Sequence, residues 1–83
     1  MRDLIRTFVR WNTARRREAL AAKWDATADH LLGRKIEVKA EAAAYTRSEG
    51  RTPVSEALWR MAGWYSDAER GARIMAAQVR AGR

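Results

Sequence analysis

Few residues in this 83-residue sequence could carry out a reaction, and they are poorly spaced for one. His30 is the only histidine and there is no cysteine, which removes disulfides, cluster ligation and thiolate zinc sites. Asp25 and Asp29 stand one helical turn apart and could share a cation, but two carboxylates alone make a weak site. Glu37 and Glu41 repeat that spacing with Lys35 and Lys39 interleaved, so mutual neutralisation accounts for them. Ser48, Ser55 and Ser66 have no base within helical reach that could activate them. Gly50 and Gly82 read as helix caps, and Gly33, Gly63 and Gly71 stand singly, so there is no phosphate-cradling loop. The expectation is a non-enzymatic chain with no metal and no cofactor.

Arginine is the residue type that does form a pattern. The chain carries 17 Lys or Arg, 14 of them Arg, against 10 Asp or Glu, for a formal charge of +7. Residues 1–23 hold a net +5, residues 24–50 a net −1 and residues 51–83 a net +3. On a helix advancing about 100° per residue, Arg2, Arg6, Arg10 and Arg17 fall with Thr13 inside a sector of roughly 80°. Arg15 and Arg16 flank that row. Such a row can follow a phosphate backbone, each contact adding affinity that declines with salt. Trp11 lies close enough to stack on an exposed base. No helix-turn-helix, zinc-finger or RNA-binding signature accompanies it.

These side chains must be positioned by helices. Alanine supplies 17 residues, Pro53 is the only proline, and strong helix formers dominate between five glycines. Two segments, about 20–47 and 53–81, are expected to pack as an antiparallel hairpin across the turn Ser48–Pro53. Gly50 can take the left-handed conformation that ends the first helix, and Thr52 can cap the second with Pro53 at its first position. The second segment carries a heptad-like seam: Val54, Leu58, Met61, Tyr65, Ala68, Ala72, Met75 and Val79, widened on one side by Ala57, Trp64 and Gly71. The first carries Leu20, Trp24, Ala28, Leu31, Lys35, Val38, Ala42 and Tyr45, where the Lys35 stem can lie along apolar neighbours.

The N-terminal stretch is out of phase with both seams. Leu4, Ile5, Phe8 and Trp11 form an apolar stripe whose mean direction lies roughly 130° from the Leu20–Tyr45 seam. Two arrangements solve this. A break near residues 12–13 or 25–27 gives a three-helix bundle, which is the expectation; otherwise one long helix carries its basic half beyond the hairpin. Either way residues 1–83 form a single all-α domain. It is small enough that burial barely offsets ordering, so dimerisation or docking on a larger partner is expected.

Four tryptophans divide between two expected roles. Trp24 and Trp64 fall on or beside a seam and read as core, whereas Trp11 and Trp59 point away and read as interface anchors. The leading expectation is a basic helical protein binding nucleic acid or a nucleoprotein complex through Arg2, Arg6, Arg10, Arg15, Arg16 and Arg17. The alternative is a protein-interaction or assembly module, such as an inhibitor, an adaptor or a phage or virion component, anchored by Trp11 and Trp59. A membrane surface is a lesser reading of Met1–Arg17, which is Arg-rich, amphipathic and acid-poor. The same stretch has the character of an organellar transit peptide without the serines, and is read as mature structure. No run spans a bilayer, so a cytoplasmic location is expected. The Arg- and Ala-rich composition matches coding by a high-GC bacterial or phage genome.

Overall fold

Residues 2–82 are described by a computed structural model, with side chains placed for residues 3–82. They form two helices, α1 (Arg2–Glu49) and α2 (Pro53–Arg80), folded back on one another. The molecule measures 72 × 17 × 11 Å. Its long dimension is the length expected of α1 alone, 48 residues at about 1.5 Å each.

α1 runs without a break, so the three-helix arrangement is not what the described residues adopt. Nothing between Arg2 and Glu49 forces an interruption: there is no proline, a single glycine at Gly33, and an abundance of alanine and arginine. The residues that could have capped a break are otherwise engaged. The Thr27 hydroxyl donates to the Lys23 carbonyl one turn back at 3.0 Å. The Asp25 carboxylate is ion-paired with the Arg80 guanidinium across the hairpin, Oδ2 lying 2.7 Å from Nη2. Thr7 and Thr46 make the same backward bond as Thr27, to Asp3 and Ala42. Used this way, a hydroxyl leaves the helix intact.

The turn is built as its residues dictate. Gly50, at φ 76°, closes α1 by donating its N–H to the Thr46 carbonyl at 2.9 Å. Thr52 then caps α2: its hydroxyl accepts from the Ser55 N–H at 3.2 Å, and Ser55 Oγ accepts from the Thr52 N–H at 2.8 Å. Pro53 follows at the first helical position, where its missing N–H has no partner to lose. Ser55 is fully buried, and its hydroxyl also donates to the Thr52 carbonyl.

The two helices meet along small side chains. On α1 the contact line is Ala21, Trp24, Ala28, Leu31, Lys35, Val38, Ala42 and Tyr45, in which Ala21 takes the place expected for Leu20. On α2 it is Ser55, Leu58, Ala62, Tyr65, Glu69, Ala72, Ala76 and Val79. Every second member of the expected α2 seam has thus moved on by one residue: Val54, Met61, Ala68 and Met75 give way to Ser55, Ala62, Glu69 and Ala76. The helix is turned by roughly 50° from the expected face.

Two features explain the rotation. Alanine against alanine lets the backbones approach, where Val and Met would hold them apart. The rotation also brings Glu69 to Lys35 at 3.8 Å, Arg73 to Asp29 at 3.1 Å and Arg80 to Glu18 and Asp25. With the expected seam facing α1, these carboxylates and guanidinium groups would be carried away from each other. The consequence is that large apolar side chains remain outside, Leu20, Val54 and Met75 among them. The accessible surface is 6591 Å², against about 5,000 Å² for a globular protein of this mass.

A seam built this way tolerates no enlargement. Ala28→Leu is expected to destabilise the hairpin by about 1–3 kcal/mol, because the helices must separate to admit the longer side chain. Leu20→Ala, on the exposed flank, is expected to stay within about 0.5 kcal/mol. Urea denaturation followed by circular dichroism distinguishes the two.

Candidate nucleic-acid interface

Helices of 48 and 28 residues cannot cover one another, and the surplus lies at the N-terminus of α1. α2 ends beside Arg17: a Cβ placed on Gly82 would lie 3.2 Å from the Arg17 guanidinium carbon. Upstream of that point α1 has no neighbour among the described residues. Every described side chain from Asp3 to Arg17 is exposed except Asn12, which is half-buried. The result is an arm of about 22 Å carrying two kinds of surface.

One side is aromatic and aliphatic. Leu4 is 75% exposed, and Ile5, Phe8, Val9 and Trp11 are also in the open. The Phe8 and Trp11 rings sit 6.3 Å apart with their planes tilted by 36°. The Arg15 guanidinium lies over the Trp11 ring, 5.2 Å from its centroid. This contact is worth about 0.5–1 kcal/mol at an exposed site and fixes one cation to the aromatic side.

The other side holds the arginine row. Helical geometry aligns Arg6, Arg10, Thr13 and Arg17, with Arg16 at their edge. Arg2 begins the row, but its side chain lies outside the described set. Among the described residues, none of Arg6, Arg10, Arg15, Arg16 and Arg17 pairs with a carboxylate. The nearest acid that could neutralise Arg15–Arg17 is Glu18, and α2 has captured it. Arg80 donates to both Glu18 oxygens, from Nε at 3.1 and 3.2 Å and from Nη2 at 2.9 Å. These hydrogen bonds hold the Glu18 carboxyl below its ordinary value of 4.5, outweighing the opposing effect of burial. Arg80 in turn is held more firmly charged, first by Glu18 and then by Asp25. One ion-pair cluster therefore pins the end of α2 to α1 and draws the acid beside Arg15–Arg17 across to Arg80.

The remaining candidates are dispersed. Trp59 is 45% exposed, yet its indole N–H donates to Thr46 Oγ1 at 3.2 Å, so it latches the turn end of the hairpin. It lies at the opposite end of the rod from Trp11, and the two do not share one surface. Trp64, expected in the core, is 64% exposed, while Trp24 is half-buried on the seam. Spacing alone placed Trp64 beside an apolar line. It did not reveal that alanines would take the contact and leave that line outside.

His30 is exposed, and Asp29 is taken by Arg73. Among the described residues, no group of three His, Asp or Glu side chains could hold a metal ion. A hollow lined by Lys35, Glu69, Arg70 and Arg73 is shallow and open, and its one carboxylate, Glu69, is taken by Lys35 and Arg73. No helix of the described residues is long and apolar enough to cross a membrane. No protein-family model, curated protein or solved structure matches this chain.

The Glu18–Arg80 pair has a defined pH signature. Its carboxyl titrates lower in the folded hairpin than in the unfolded chain. The stabilisation is therefore complete above the ordinary value of 4.5 and is lost as pH falls through the lower folded value. Thermal midpoints measured from neutrality down to about pH 3 should drop on the acid side, and Glu18→Gln should remove that part of the drop. An unchanged acid limb in the variant would mean the pair contributes nothing.

Proposed function

We propose that this chain is a binding protein, not a catalyst, whose α1 arm grips a polyanion, with nucleic acid or a nucleoprotein complex as the target. The reading is carried by one observation: five arginines within twelve residues, on the part of α1 that reaches from the end of α2 outward, all exposed and none paired with a carboxylate among the described residues. Guanidinium groups suit phosphate because they donate in a planar fork, and each phosphate neutralised releases a condensed counterion. Arg6, Arg10 and Arg17 contact the backbone, with Arg2 extending the row and Arg16 reaching from its edge, while Arg15, over the Trp11 ring, adds a cation on the aromatic side. A cytoplasmic site of action belongs to the same proposal.

The aromatic side of the arm favours a nucleoprotein target over naked nucleic acid. Leu4, Ile5, Phe8 and Trp11 face away from the arginine row and are free to meet a protein surface while the arginines meet phosphate. Should the arm bind protein alone, the chain is an adaptor, inhibitor or assembly component anchored through Trp11, and Trp59 has no part in that contact.

Salt separates these outcomes. Binding of mixed-sequence DNA or RNA, followed by fluorescence anisotropy, is expected to weaken steeply with salt. Replacing Arg15, Arg16 and Arg17 together by Ala should reduce the slope of log K against log salt by about 2–3. Absence of binding at low salt contradicts the polyanion reading.

A further inference from the structure

A second heptad line runs along α2 on the side away from its ion pairs. Val54, Ala57, Met61, Trp64, Ala68 and Gly71 recur at spacings of three and four, with no charged residue among them. All are exposed except Met61, which is half-buried. The line sits roughly 100° around the helix from the seam that meets α1, the angle at which one helix of a four-helix bundle meets its two neighbours. Glu69, Arg73 and Arg80, which hold α1, lie at the seam or beyond it on the far side.

We infer that this outer face of α2 is the contact surface for a second copy of the chain, paired antiparallel through a two-fold axis. The charges bordering the line identify the occupant. Arg60 and Asp67 lie one heptad apart along its outer edge, both exposed and neither paired among the described residues. In an antiparallel coiled coil each a position faces a d position of the other helix, and like edges face each other. The register that sets Met61 against Trp64 of the second copy also sets Ala57 against its Ala68 and Val54 against its Gly71. In that register Arg60 meets Asp67 of the second copy, and the two-fold repeats the pair at the other end. The small layers flanking a Met–Trp centre let the backbones approach, and a charge order that is its own complement on reversal fits another copy of this helix.

Surface area agrees. The chain exposes about 1,500 Å² more than a globular protein of its mass, while a specific interface requires roughly 1,000 Å² in total. Each α1 arm extends past the C-terminal end of its own α2, so the two-fold sends the two arms in opposite directions. The inference stands on the hairpin and does not depend on what the arms bind.

Sedimentation equilibrium of the full chain tests it, with an expected mass of twice 9.5 kDa. Trp64→Glu should give a monomer of unchanged helical circular dichroism, since Trp64 is not in the α1 seam. Arg60→Asp should weaken association about tenfold by setting like charges together at both ends, and adding Asp67→Arg should restore it. A wild-type chain that stays monomeric across the concentration range overturns the proposal, as does a dimer indifferent to Trp64→Glu. A doubly charge-reversed variant that fails to recover overturns the antiparallel register. Replacing Arg15–Arg17 by Ala should leave the doubled mass intact, so a failure of polyanion binding is read separately.

Discussion

The distance between α1 and α2 is set by alanine, and most of the molecule's character follows from that choice. Ala21, Ala28, Ala42, Ala62, Ala72 and Ala76 are buried at the contact, leaving little side chain between the backbones. A methyl group returns much less on burial than a leucine does, so the seam draws additional support from ion pairs at its edge. Those pairs fix the rotation of α2: Glu69 must reach Lys35, and Arg80 must reach Glu18 and Asp25. Large apolar side chains are then the ones left over, exposed on the outer faces of both helices.

The second determinant is unequal length. α2 stops beside Arg17 while α1 continues to Arg2, and the ion-pair cluster at Glu18, Asp25 and Arg80 sits where the support ends. A helical segment of this length would be marginal by itself in water; growing from a helix already nucleated by the seam removes that cost. Taking Glu18 for α2 also removes the acid closest to Arg15, Arg16 and Arg17, leaving Asp3 as the arm's own carboxylate. The same contact that ends the hairpin therefore prepares the arm's positive charge.

Much of this was legible before any fold was known. The turn was written in Gly50, Thr52 and Pro53, and seven of the eight α1 seam positions followed from spacing. The arginine row and the displaced stripe at Leu4, Ile5, Phe8 and Trp11 were readable as helical faces. The choice between a break and a projection was not, because Thr27 and Asp25 are as acceptable inside a helix as at its cap; only their bonds to Lys23 and Arg80 decide. The face that α2 turns to α1 is hidden in the sequence for a related reason. Adjacent heptad lines through Val54 and Ser55 share Leu58, Tyr65, Ala72 and Val79, and hydrophobicity favours the line with Met61 and Met75. Close approach and cross-helix charge favour the other, and neither is visible along a single helix. Trp64, beside the hydrophobic line, is left outside for the same reason.

The central claim is that one continuous helix serves two purposes, packed from Ala21 onward and open to a polyanion before it. Amide hydrogen exchange along α1, with and without duplex DNA at low salt, tests both halves at once. The account predicts strong protection from Ala21 to Tyr45 in either state, with rapid exchange from Leu4 to Arg16 that slows when DNA is added. An arm already as protected as the hairpin, or one whose exchange DNA leaves unchanged, would contradict it.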